Sequence, residues 1–442
     1  HSMDGNTTGS NNVAVGAYCL DASTTASDNV AVGYFALSAN TSGTDNVAMG
    51  TNAADANTTG SNNTAIGDGS LGKNTTGDGN TSIGASSMEE HVDANYCTAV
   101  GADCLQNNTA TSNTGVGQGA LNGNTTGQKL VAVGQGALNV NTTGNYSVAI
   151  GQDALKANTT GDNNVAIGRN AMLSNTTASY QVAVGYEAMK SQVDGGVTNT
   201  AVGYAALRDN TAGDAGVAVG YFASESQTTG TANTALGYFA IKTNTTGDNN
   251  TAVGNSAGLN LTTGDNNIFV GHDSGITGSP GGNVTTGSNE IYLGDENITA
   301  ANVQVDWTIA SDKRDKTDVE PLKTGLAFIN KLEPVTYRWD KRSKYLDKDD
   351  QIIDLDEVVA DGTHKEDWLD TGFLAQDVEA LESEYGYNMN NKTNLTTYLS
   401  DDGKNYGLTY SKFIPSLVAA IQELSAEVEY LKSQPKCKCK GE

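Results

Sequence analysis

The chain has 442 residues and a formal net charge of −26, with 17% charged and only 6% aromatic residues. Such acidity excludes a surface built to displace counterions from nucleic acid or to lie on anionic lipid. No stretch nears the ~20 apolar residues that a bilayer crossing needs, so the expected partners include neither nucleic acid nor an inserted membrane.

His1-Ser2-Met3 reads as a tag remnant, and residues 1–10 form a lead-in. From there to residue 287 a short motif, x-Ala-Val-Gly, recurs with its glycine at 16, 33, 50, 67, 84, 101, 117, 134, 151, 168, 185, 203, 220, 237, 254 and 271. Fifteen intervals cover 255 residues, a mean of 17, and one interval of 16 is cancelled by one of 18. A degenerate copy, Ile291-Tyr292-Leu293-Gly294, follows after 23 residues. A fixed period of this kind is the signature of a solenoid.

Within a copy, Val-Ala-Val alternates with period two, as a short strand does, and the surrounding Asn, Thr and Gly are turn formers. The residue before each glycine is aliphatic (Val15, Val32, Met49, Ile66, Ile83, Val100 and onward). The one before that is Ala, Ser or Gly in the first fifteen copies. One strand face is therefore expected to carry the core and the other to need close approach. Four residues after the glycine comes a second apolar site, usually Leu or Met, so each turn of the coil buries two or three side chains. Parallel stacking at ~4.8 Å per turn predicts a slender rod roughly 77 Å long, with identical Asn and Thr residues in ladders. So thin a core calls for partner chains.

Cys19, Cys97, Cys104, Cys437 and Cys439 show neither a disulfide framework nor a zinc spacing, since one residue separates the last two. Free thiols are expected, with Cys19 and Cys104 as small buried fillers three residues after a repeat glycine. The many Asn-x-Thr tripeptides read as turn chemistry. Asp162, Asp248 and Asp265 near the turns are weak calcium candidates, because the glycine-rich nonapeptide of calcium rolls is missing, and no metal or cofactor is expected.

The Asn-x-Ala-x-Gly motif resembles the head repeat of trimeric autotransporter adhesins over about residues 10 to 275. That resemblance implies a left-handed parallel β-roll with three chains packed along an axis. The period of 17 exceeds the family's coil, which implies a longer outer turn.

Residues 288–310 form a junction between two chemistries. All three tryptophans and all five prolines lie from residue 280 onward, and 18 of the 25 Lys and Arg follow residue 287. Beyond the junction, Lys331 to Trp339 reads as a strand, Tyr345 to Asp367 as an acidic loop, and Thr371 to Glu384 as helix-prone. Ile414, Leu417, Ile421, Leu424, Val428 and Leu431 then alternate spacings of three and four, the core stripe of a coiled coil over 412–433. The β-branched residues in that stripe favour a parallel dimer, and so short a stripe also suits a helix packed on its own domain.

Ser311-Asp312-Lys313-Arg314-Asp315-Lys316, Val319-Glu320-Pro321-Leu322, Leu332-Glu333-Pro334-Val335-Thr336-Tyr337-Arg338-Trp339, Gly372-Phe373-Leu374-Ala375-Gln376-Asp377-Val378 and Tyr406-Gly407-Leu408-Thr409-Tyr410 follow in order. Their order and spacing resemble the endosialidase-type intramolecular chaperone, which trimerises phage tail fibres and tailspikes and then cleaves itself off. The resemblance implies that 311–442 is such a domain and that the chains form a homotrimer. It also implies that Ser311 is the nucleophile, Lys316 its base, and the bond between Ala310 and Ser311 the one cut. A lysine takes a serine proton only when burial or nearby cations favour its neutral form, and Lys313 and Arg314 are candidates to supply that charge.

The expected fold is mainly β: a parallel β-roll or β-solenoid of 17-residue repeats, followed by a small α+β chaperone domain ending in a coiled-coil helix. The expected function is a structural phage tail fibre or adhesin, made in the host cytoplasm and housed in the virion tail. Its partners are then its own copies, other virion tail proteins, and a host cell-surface receptor, with a glycan among the candidates. The alternatives are a tailspike depolymerase acting on host polysaccharide and a bacterial surface adhesin. Paired carboxylates with aromatic platforms would mark the depolymerase, whereas the tyrosines of the array look scattered singly, as at Tyr18, Tyr34, Tyr96 and Tyr238.

Overall fold

A computed structural model describes residues 1–193, 198–304, 307–346 and 354–434; Cys437 and Cys439 lie outside them. The chain divides into two compact units, His1–Asp273 with Thr285–Ile291, and Ser274–Val284 with Tyr292–Glu442.

The first unit is a parallel β-solenoid. Three-residue strands run from β1 (Val13–Val15) to β16 (Ile268–Val270), one per turn, and a further strand, β17, spans Ile291–Leu293. Each strand pairs in parallel with the equivalent strand of the next turn, as Val165, Ala166 and Ile167 do with Val182, Ala183 and Val184. The repeat glycines carry φ near +135°, a conformation open to glycine alone. Two and four residues later come non-glycine residues in the left-handed region, such as Asn170 and Met172 with φ of 59° and 52°. These bends fold a turn of about 17 residues tightly enough to stack.

The core lies on the small-residue face of the strands. Ala31, Ala48, Ala65, Ala132, Ala149 and Ala166 are fully or almost fully buried, whereas the aliphatic residue before the glycine points outward and reaches 58% exposure at Val15. Close approach and core thus fall on one face, which corrects the two-face expectation. The interior is narrow because it holds two polar columns besides the Leu or Met of the opposite wall. In one, asparagine amides chain from turn to turn, Asn74 Nδ2 donating to Asn57 Oδ1 at 2.7 Å and Asn158 Nδ2 to Asn141 Oδ1 at 2.8 Å. In the other, each asparagine oxygen accepts a backbone N–H of the next turn, as Asn29 Oδ1 does from Asn46 N at 3.0 Å. Threonine hydroxyls add a third ladder, Thr41 Oγ1 donating to the Thr58 carbonyl at 3.0 Å and Thr58 Oγ1 to that of Thr75 at 2.9 Å. These bonds satisfy buried polar groups that would otherwise cost stability.

Volume is conserved where the repeat departs from consensus. Gly115 stands where other strands have alanine, and Cys104 Sγ fills the space, 2.6 Å from where a Cβ would lie. Phe269 replaces the strand alanine of β16, and Gly258 in the preceding turn replaces the usual leucine to admit its ring. Cys19, Cys97 and Cys104 are all buried, and burial pushes the Cys104 thiol up to about 12.

The second unit is a small α+β fold. Helices α1 (Leu326–Ile329), α2 (Ala375–Glu384) and α3 (Phe413–Ser433) enclose Phe328, Val378, Leu381 and Phe413. Two antiparallel pairs flank them, β18 (Val335–Tyr337) with β19 (Asp370–Gly372), and β20 (Thr397–Leu399) with β21 (Tyr406–Leu408). Helix α2 starts only at Ala375 because Thr371 and Gly372 are taken into the β18 pairing. Glu382, buried on α2, accepts from the backbone N–H groups of Leu395 and Thr396 and from the hydroxyls of Thr396 and Thr397 at 2.6–3.1 Å.

Candidate functional site

Asp312 opens a short 3₁₀ turn, Lys313–Asp315, by accepting the Arg314 backbone N–H at 2.9 Å. The turn doubles the chain back so that residues five apart meet, and Lys316 Nζ donates to Ser311 Oγ at 2.5 Å. Residues 311–323 are all exposed, and so is Ala310 on the other side of the bond. The lysine here is a donor; to act as a base it must first lose its proton, which exclusion of water favours. Arg314 is engaged elsewhere, its guanidinium pairing with the Asp312 carboxylate at 2.6 Å and holding that carboxyl below its ordinary range. Its positive charge is therefore largely compensated before it reaches Lys316, which leaves Lys313 as the remaining candidate. The sequence leading in is equally bare, with Ile298, Val303, Trp307 and Ile309 exposed.

Residues 311–387 match the family model described as chaperone of endosialidase. No curated protein matches the chain. The matched segment begins at Ser311 itself and runs through α1, β18, β19 and α2.

Beyond the matched segment, α3 presents two faces. Phe413, Ser416 and Ala420 are buried. Ser416 Oγ lies 2.7 Å from Thr324 Oγ1, and Glu423 accepts the Leu326 backbone N–H at 2.9 Å. The face bearing Ile414, Leu417, Ile421, Leu424, Val428 and Leu431 stays 40–63% exposed. The helix does pack on its own domain, but through a different set of residues from the apolar stripe.

In the solenoid, the three aspartates considered for calcium have backbone duties. Asp162 Oδ1 accepts from Asn145 N at 2.6 Å, Asp248 Oδ1 from Thr231 N at 2.7 Å, and Asp265 Oδ1 from Asp248 N at 2.8 Å. Four of the tyrosines, in contrast, form a column. Tyr186, Tyr204, Tyr221 and Tyr238 stack in succession with ring centroids 5.0, 5.0 and 5.3 Å apart. The signal is visible once the turns are aligned: each follows a repeat glycine, at 185, 203, 220 and 237.

Proposed function

We propose that the chain is one subunit of a homotrimeric phage tail fibre or related adhesin, assembled by a C-terminal chaperone that then removes itself at the Ala310–Ser311 bond. The observation that carries this reading is the coincidence at Ser311, where the endosialidase-chaperone match begins and where Lys316 Nζ reaches the hydroxyl. Two exposed apolar surfaces support self-association: the α3 stripe, and the column of Val, Ile, Leu and Met on the outer face of the strands, including Val133, Ile150, Ile167 and Val219. Repeating apolar columns of this length on a soluble chain mark contact surfaces.

The chemistry follows from the position of the serine. Lys316, once neutral, takes the Ser311 Oγ proton while Oγ attacks the Ala310 carbonyl carbon, closing a five-membered ring. Collapse breaks the C–N bond as Lys316 returns its proton to the nitrogen, which frees the Ser311 α-amine and leaves Ala310 as an ester on Oγ. Water then hydrolyses the ester, giving a fibre that ends at Ala310 and a separate chaperone that begins at Ser311. Packing by neighbouring copies would supply the desolvation that an exposed pair lacks. Release after folding makes assembly hard to reverse, a kinetic rather than thermodynamic lock. Registering identical turns before they zip together answers a real problem, since a slip of one whole repeat preserves almost every contact.

Intact-mass analysis under denaturing conditions tests the reading. Two fragments meeting between Ala310 and Ser311 are expected for the wild type and one full-length mass for Ser311→Ala and Lys316→Ala. A single full-length mass in all three removes the self-cleavage.

A further inference from the structure

We infer that Tyr186, Tyr204, Tyr221 and Tyr238 form a binding column for a neutral glycan strand lying along the solenoid. The inference rests on the fibre reading for its biological sense but on its own observations for the site.

The column is a local exception. The same position, directly after the repeat glycine, is mostly exposed and polar in other turns, as at Gln118, Gln135, Gln152, Arg169 and Asn255, with alanine at Ala17, Ala85 and Ala102 and one further tyrosine, Tyr34, in a turn apart from the four. That position therefore faces water along the array. A contact with a second copy would demand apolar residues all along the column, as the aliphatic column before the glycine has them. Four consecutive tyrosines in a water-facing column serve something shorter than the array.

Even after stacking on one another, Tyr204, Tyr221 and Tyr238 remain 42–45% exposed. Phe222 and Phe239 lie edge-on or tilted against them at 4.4 and 4.0 Å and fix their orientation. Stacking holds the rings without side-chain entropy left to lose, so a ligand meets a preorganised surface. Because the faces are largely taken up by one another, each ring presents outward an apolar C–H edge and a hydroxyl tip, which suits a pyranose with its C–H patches and hydroxyl rim. The rings advance one turn at a time, about 4.8 Å, comparable to the length of one sugar ring.

Beside the rings sits a charged cluster that is internally neutralised. Glu225 lies 2.5 Å from Arg208 Nη1 and 3.5 Å from Lys242 Nζ, and Asp209 pairs with the same Arg208 guanidinium at 2.9 Å, so two carboxylates balance two cations. Lys242 also lies over the rings of Phe222 and Phe239. Such a cluster offers hydrogen bonds to hydroxyls without a free cation to draw an anion. With a net charge of −26 on the chain, an acidic polysaccharide is repelled. The class that fits is neutral.

Affinity electrophoresis tests this, using native gels cast with dextran, laminarin or galactomannan, and with alginate as the acidic comparison. The full chain is compared with Tyr204→Gln/Tyr221→Gln, which installs the residue that the column carries elsewhere and so preserves folding, and with Tyr96→Asn, an exposed tyrosine outside the stack. Retardation of the wild type by a neutral polysaccharide is expected, at least tenfold weaker in the double variant and unchanged in Tyr96→Asn. Equal retardation of wild type and double variant overturns the assignment, as does failure of every neutral polysaccharide to retard the wild type or a preference for alginate. Sedimentation velocity on the same samples separates the two readings. A monomer that binds sinks the fibre reading alone, and a trimer that does not bind sinks the glycan column alone.

Discussion

Gly168 and Gly185 lie one solenoid turn apart and so close that a Cβ on Gly168 would sit 2.3 Å from the Gly185 carbonyl oxygen. The same relation recurs between successive repeat glycines, each with φ between +114° and +145°, so the constraint is both steric and conformational.

Gly168→Ala must then either move the backbone of two turns or break their pairing. A loss of about 2–4 kcal/mol is expected from strain of this kind. Limited proteolysis should open the chain near residues 160–190 in the variant first, because solenoids unfold locally. A protection pattern equal to wild type would contradict the close approach.

Ala232 offers the opposite case. It is exposed and held at φ +54°, in a column where Asn249 and Asn266 adopt the same conformation. Asparagine tolerates the left-handed region better than alanine, so Ala232→Asn should raise stability by about 0.5–1 kcal/mol. A small upward shift of the thermal transition is the readout.

His91 replaces an asparagine in the buried amide ladder. Nε2 lies 2.9 Å from the Ala94 carbonyl, and Nδ1 lies 3.2 Å from the Asn108 carbonyl and 3.4 Å from Asn108 Nδ2. Burial holds its pKa below the ordinary value. Since the unfolded chain takes the proton first, the contribution of His91 is complete above about pH 6.5 and declines as pH falls from there toward the depressed folded value. The expected loss is up to ~1.4 kcal/mol per pH unit inside that window. Melting of wild type and His91→Asn at pH 7.5 and 5.0 checks it, and the asparagine variant should show the smaller drop.

Glu382 ties α2 to the segment leading into β20 through four donors. Glu382→Ala strands those buried groups and should cost about 3 kcal/mol or more, because charged hydrogen bonds are lost and donors left unmet. Glu382→Gln, which keeps the shape, should cost less. Denaturant unfolding followed by tryptophan fluorescence reports the C-terminal unit, where Trp307, Trp339 and Trp368 all lie.

On the proposed assembly, Ile421→Asp/Leu424→Asp places charge in the exposed stripe of α3 without touching its buried face. Loss of the oligomer in sedimentation is expected, with the helical signal largely kept. An unchanged oligomer would show that the stripe is not a contact between copies.

Much of this protein was readable along the chain. The spacing of the glycines determined the solenoid, its parallel register and its phase, because each glycine marks a bend that no other residue makes. The period-3.5 stripe determined the terminal helix, and only the resemblance of the flanking motifs singled out Ser311 and Lys316, whose side chains the structure brings within 2.5 Å. Tertiary structure alone decided which strand face is the core. Hydrophobicity favours Val over Ala for the inside, yet the close approach of successive turns and the two asparagine columns leave room only for the smaller side chain, so the valines face outward. It alone also assembled the tyrosine column, since residues 17 or 18 apart become neighbours only when one turn lies on the next.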